Sequence, residues 1–124
     1  MIRRRWTVKL RPATKVDVAE VLAWYKKEAP EQVRRFRDDF KESTKILADH
    51  PFLYPKRIGD VRLYAMPEFP YGIWYVADDA TLTVHVLTVL HFKRGREALM
   101  DRLRAELGSS FKVITDRDKH ERPA

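Results

Sequence analysis

The chain contains no cysteine, which excludes disulfides, thiolate metal sites and a cysteine nucleophile. Its four glycines are isolated from one another, so neither a phosphate-binding loop nor a dinucleotide fingerprint can be assembled. No apolar stretch approaches the roughly 20 residues of a membrane span. The opening MIRRRW is basic with no apolar segment behind it, unlike a secretory leader. The expectation is a cytoplasmic protein with no membrane contact. Histidine is also scarce. His85 and His91 fall in one apolar run; as alternate residues of a regular strand they would share a face, but about 3.3 Å per residue separates them by roughly 20 Å. That is too far for one metal ion. His50 and His120 stand in unrelated contexts, so neither a metal nor a cofactor is expected. The chemistry left is that of histidine, lysine, arginine and carboxylates.

Positive charge is what the chain has in excess. Twenty-five Lys and Arg against 18 Asp and Glu give a net charge of +7 over 124 residues, a balance that favours polyanions or an acidic protein partner. The charge is clustered. MIRRRWTVKLR carries five basic residues and no acid, and HFKRGR, residues 91–96, gathers Lys93, Arg94 and Arg96 behind His91. The length suits a single domain.

WTVKLR alternates Trp6, Val8 and Leu10 with polar residues, the period of a half-buried strand, and Pro12 ends it. Thr14 and Asp17 resemble a capping box ahead of a helix from about residue 15 to 28, with Val18, Val21, Leu22 and Tyr25 on its buried stripe. After Pro30, Val33, Phe36, Phe40 and Leu47 mark a second helix ending at DHP, residues 49–51, and the short connection makes an antiparallel hairpin. FLYPKRIGD reads as a loop. Three strands follow, VRLYAM, GIWYVAD and TLTVHVLTVL, joined by turns short enough for an antiparallel meander. Residues 86–90 are apolar on both faces, which places the last strand inside the sheet with the first strand on its other side. REALMDRLRAEL closes as a short helix with Leu99, Leu103 and Leu107 on one stripe, and TDRDKHERPA reads as a charged, frayed tail. The fold class is therefore α+β: an N-terminal strand, a two-helix antiparallel hairpin, a three-stranded antiparallel meander and a short C-terminal helix. One domain spans 1–124, with a core at about 6–97 and the helix and tail at 98–124.

AWYKKEAPEQVRRF, ILADHPFLYP, GDVRLYAMPEFPYGIWYV and VLHFKRGRE, taken in order, resemble the RelE/ParE family of bacterial type II toxins over roughly residues 6–97. The resemblance implies the fold just described and a cognate antitoxin as partner. It also implies one of two targets. ParE-like members act on DNA gyrase, whereas RelE-like members cut messenger RNA on the ribosome with basic residues of the concave sheet face. A third possibility is a non-toxic basic module that binds nucleic acid. HPFLYP and FPYGIWY favour the ParE branch by resemblance. The aromatic that RelE-like members often carry past the last basic cluster would fall near Leu99, and no tyrosine follows Tyr75.

Metal-free RNA cleavage needs a base for the 2′-hydroxyl, cations for the phosphorane and an acid for the leaving oxygen. Arg62, His91 and Arg94 are the candidates for that chemistry, with Lys56, Arg57, Lys93 and Arg96 as target- or phosphate-binding residues. Each has a plainer role open to it: His91 as a packed strand-end histidine, Arg62 as a solvated strand arginine, Lys56 and Arg57 as loop charges. Trp24, Tyr25, Trp74 and Tyr75 offer stacking surfaces. Adjacent strand residues point oppositely, so at most one of Trp74 and Tyr75 can line a binding surface, and most of these aromatics are expected in the core.

Overall fold

The computed structural model describes residues 5–108; the charged tail and the first basic residues lie outside them. The elements are β1 (Thr7–Leu10), α1 (Pro12–Glu28), α2 (Gln32–Asp49), β2 (Lys56–Ile58), β3 (Val61–Ala65), β4 (Tyr71–Asp78), β5 (Thr83–His91) and α3 (Arg96–Leu107). They build one five-stranded sheet of order β1-β5-β4-β3-β2, in which β1 is parallel to β5 and every other pair is antiparallel. The strand, helical hairpin, meander and closing helix expected from the sequence are all present. The apolar run of β5 is flanked by β1 and β4, as its two apolar faces required.

The segment read as a loop after Pro51 contains β2. Its three residues pair with β3 across a turn at Gly59, whose φ of +53° is a conformation that suits glycine. So short and basic a strand carries little periodic signal, although Lys56 and Arg57 are typical of a sheet edge protected against further pairing.

The hairpin α1–α2 packs on one face of the sheet. Phe36, fully buried, meets Phe69 and Tyr71 edge-on at ring-centroid distances of 5.3 and 5.6 Å, and Val21, Leu47, Ile73, Tyr75, Val84, Val86 and Val89 complete this core. The Tyr75 hydroxyl donates to the carbonyl of Pro51 at 2.9 Å, which pins HPFLYP as the corner leading into the sheet. Helix α3 covers the opposite face, where Leu99 and Leu103 pack on Ile58, Val61, Leu87 and Leu90. Trp74 belongs to that second layer and Tyr75 to the first, as strand alternation demands.

Two local expectations fail. Thr14 and Asp17 do not cap α1. The helix starts at Pro12 with Arg11 as N-cap, and both residues are buried inside its first two turns. The Thr14 hydroxyl donates to Val86 O at 2.9 Å, and Asp17 Oδ2 accepts the Thr88 hydroxyl at 2.6 Å and the Val89 N–H at 3.1 Å. Strand β1 pairs only as far as Val86, so these side chains take over its work along the uncovered edge of β5, where free backbone groups would otherwise be costly. Nor do His85 and His91 share a face. The β4–β5 register jumps from Trp74↔Thr88 to Tyr75↔Val86, leaving an extra residue in β5. This β-bulge inverts the alternation, so His85 faces α3 while His91 faces α1.

Candidate functional site

Strand β5 ends at His91, and residues 92–95 turn back into α3. The Phe92 N–H donates to Pro70 O at 3.0 Å and the Arg94 N–H to His91 O at 2.9 Å, so the backbone of the basic stretch is held while its side chains stay exposed. Phe92 is half-exposed and rests where Gly72 has no side chain: a Cβ there would come within 3.1 Å of its ring and 2.7 Å of Leu63 Cδ1.

This turn divides two depressions. On the α1 side, Trp24, Tyr25, Tyr71, His91 and Lys93 line a groove of about 590 Å³, which runs on past Glu20 and Arg94. On the α3 side, Ile58, Trp74, Leu90 and Phe92 floor a groove of about 230 Å³ beside Arg94 and Arg96. Among the described residues its lining contains cations and apolar groups and no carboxylate. His91 and Arg94 border both.

His91 stands edge-on to Tyr71 at 5.1 Å, and its Nδ1 accepts the Lys93 N–H at 3.0 Å. That hydrogen bond assigns the proton of the neutral ring to Nε2. Tyr71 cannot serve as a base, because burial, with Tyr25 beside it, pushes its phenol up to about 12.

The remaining candidates lie elsewhere. Arg62 is on the α1–α2 side, where its guanidinium donates to Tyr54 O at 2.6 Å and Phe52 O at 3.3 Å and lies 5.3 Å from the Phe52 ring. Its register, Arg62↔Tyr75↔Val86, is two strands over from β5 and level with the middle of that strand, on the order of 15 Å from His91 by strand spacing and rise. Lys56 pairs with Asp60 at 3.3 Å on the edge strand, and Arg57 is exposed next to it. The structure thus gathers His91, Lys93, Arg94 and Arg96, and leaves Lys56, Arg57 and Arg62 apart from them.

The sequence left Trp24 between a stacking surface and the core, and it did not announce the tertiary contacts of Asp17 and Glu106. Trp24 is 56% exposed, unlike its aromatic neighbour Tyr25. Asp17 pairs with Arg102 of α3 at 3.0 Å, and its helical spacing from Thr14 and Val21 was a signal of burial. Glu106 accepts from the start of α1, and nothing local announces that contact.

The chain matches the family model of the ParE toxin of type II toxin–antitoxin systems, parDE, over residues 8–95. It belongs to the ParE toxin family. Among solved structures, a chain from "Chromosomal ParDE TA system from P. aeruginosa" is similar at TM-score 0.62 and 15% identity, covering 70% of this chain and 96% of that one. A chain of the toxin–antitoxin complex RelBE2 from Mycobacterium tuberculosis is similar at TM-score 0.52 and 18% identity, covering 75% of this chain and 98% of the other. No curated protein sequence matches. The ParE match ends at Gly95, so the turn at His91–Arg94 falls inside it and α3 follows it.

Proposed function

We propose that this ParE-family toxin inhibits DNA gyrase as a binding protein and is neutralised by a cognate antitoxin. The observation that carries the reading is the make-up of the sheet face opposite the α1–α2 hairpin: it is apolar, built from Ile58, Val61, Trp74, Leu87 and Leu90, and α3 covers it. A ribonuclease acting there would need a base and several cations around one phosphate. Arg62 is instead on the other face and committed to backbone carbonyls. The exposed cations at the turn suit docking, and the groove beside Phe92, with its apolar floor and cationic rim, suits an acidic amphipathic antitoxin segment.

Inducing the chain alone should stop bacterial growth, and coexpression of its antitoxin should restore it. Purified protein should block gyrase supercoiling and leave messenger RNA on programmed ribosomes intact. RNA cut within the ribosome without added metal would replace this reading with the RelE-like one. Unaffected growth under verified expression would leave a non-toxic basic module.

A further inference from the structure

A cavity of about 210 Å³ lies beneath the C-terminal end of α3, bounded by Arg11, Val76, His85, Leu87, Glu106 and Leu107. Two groups in it are in opposite states. The Glu106 carboxylate, its side chain 8% exposed, is fully engaged: Oε1 accepts the Ala13 N–H at 2.6 Å and Oε2 faces Arg11 Nε at 3.3 Å. Arg11 also donates to Glu106 O at 3.0 Å. His85 Nδ1, by contrast, is buried with no hydrogen-bond partner among the described residues.

A neutral imidazole tolerates this environment, because one nitrogen can carry the proton and the other can remain a bare lone pair. An imidazolium cannot, since both nitrogens then bear N–H groups, and a buried donor without an acceptor is costly. The charges facing His85 come from every element around it. Lys9 is its neighbour on β1, Arg11 stands at the start of α1, Asp78 is near the end of β4, and Glu106 is on α3. Asp78 favours the cation, whereas burial, Arg11 and Lys9 oppose it, and together they hold the ring below its ordinary 6.5. Lifting α3 away opens the cavity to water and supplies the missing acceptor.

We propose that α3 is an acid-sensitive latch: docked over the sheet while His85 is neutral, and released when His85 takes up a proton. Release bares Leu87 and Leu90, the apolar face that α3 otherwise covers. The docked state binds this proton less readily than the undocked one, so docking is favoured above pH 6.5 and is lost as pH falls through the depressed value. A single proton can change the docking equilibrium by at most about tenfold per pH unit.

The test is a pH titration of the full chain from 8 to 5 by NMR, following the methyl groups of Leu99 and Leu103 together with the His85 ring. The methyl groups should move toward solvent-exposed positions with the same midpoint as the ring, below 6.5. In His85→Gln, which stays neutral, they should hold their docked positions throughout. Docked methyl signals persisting in the wild type while His85 titrates, or an identical transition in His85→Gln, would overturn the proposal. Should His85→Gln fail to fold, the coincidence or divergence of the two wild-type midpoints decides alone.

Discussion

The carboxylate of Glu106 accepts the backbone N–H of Ala13 at 2.6 Å, across 93 positions of sequence. Helix α1 has Arg11 at its N-cap, no side-chain cap of its own and no acid in its first turn. Its free amides and positive dipole end are therefore met by the last turn of α3. Capping here is a tertiary contact, and it ties the final helix to the first.

Glu106→Ala should accordingly destabilise the whole domain by about 1–2 kcal/mol, the usual worth of a helix cap, although the residue lies beyond the family's matched span. Glu106→Gln retains an acceptor and should lose less. Urea unfolding of the two variants measures the difference.

Asp17 serves three donors at once, the Thr88 hydroxyl, the Val89 N–H and Arg102. Asp17→Ala leaves buried donors unmet and should cost about 1–3 kcal/mol. Arg102→Ala, which removes only the partly exposed partner, should cost less. Equal losses in equilibrium unfolding would mean that the ion pair, and not the edge of β5, is what Asp17 supports.

Arg94 and Arg62 should behave oppositely. Arg94 is exposed at the turn, so Arg94→Ala should abolish growth arrest and shift stability by no more than about 0.5 kcal/mol. Arg62 fastens the carbonyls of Phe52 and Tyr54, so Arg62→Ala should lower stability by about 1–2 kcal/mol. Growth curves and thermal melts on the same pair of variants separate the roles. A fully toxic, equally stable Arg94→Ala would reduce HFKRGR to a solvated exit from the sheet.

Asp39 is buried on α2 and its pKa is raised, first by burial and further by nearby Glu68, against the Glu68 N–H that it accepts. A carboxyl raised in the folded state contributes stability below the unfolded pKa and loses it as pH rises through the folded one. Asp39→Asn should therefore be more stable than wild type at pH 7. Its advantage should shrink as pH falls toward 3.8, as read from denaturant midpoints across that interval.

Much of this architecture was legible because it rests on periodicity. The stripe Phe36, Phe40, Leu47 and the apolar run of β5 each announce an element whose burial is decided locally. What escaped depends on partners distant in sequence. Thr14 and Asp17 carry a helix-start signature, yet the unpaired edge of β5 claims them, and no local pattern reveals where β1 stops pairing. Strand alternation gave His85 and His91 a common face, and one extra residue between them reversed it. At the candidate site the sequence grouped seven side chains by charge. The fold keeps four of them near the turn and sends Lys56, Arg57 and Arg62 toward the other edge, a division set by strand order.

The bulge in β5 makes this one strand speak to two audiences. Up to Val86 its even-numbered side chains belong to the helical hairpin; beyond the extra residue that allegiance passes to the odd-numbered ones, Val89 and His91. Without that bulge the same residues would run in simple alternation, exchanging the roles of everything downstream. His91 would turn from Tyr71 toward α3, and Leu90 would enter the layer beneath α1. The placement of the basic turn between two grooves thus depends on a single residue of slack in the strand that leads to it.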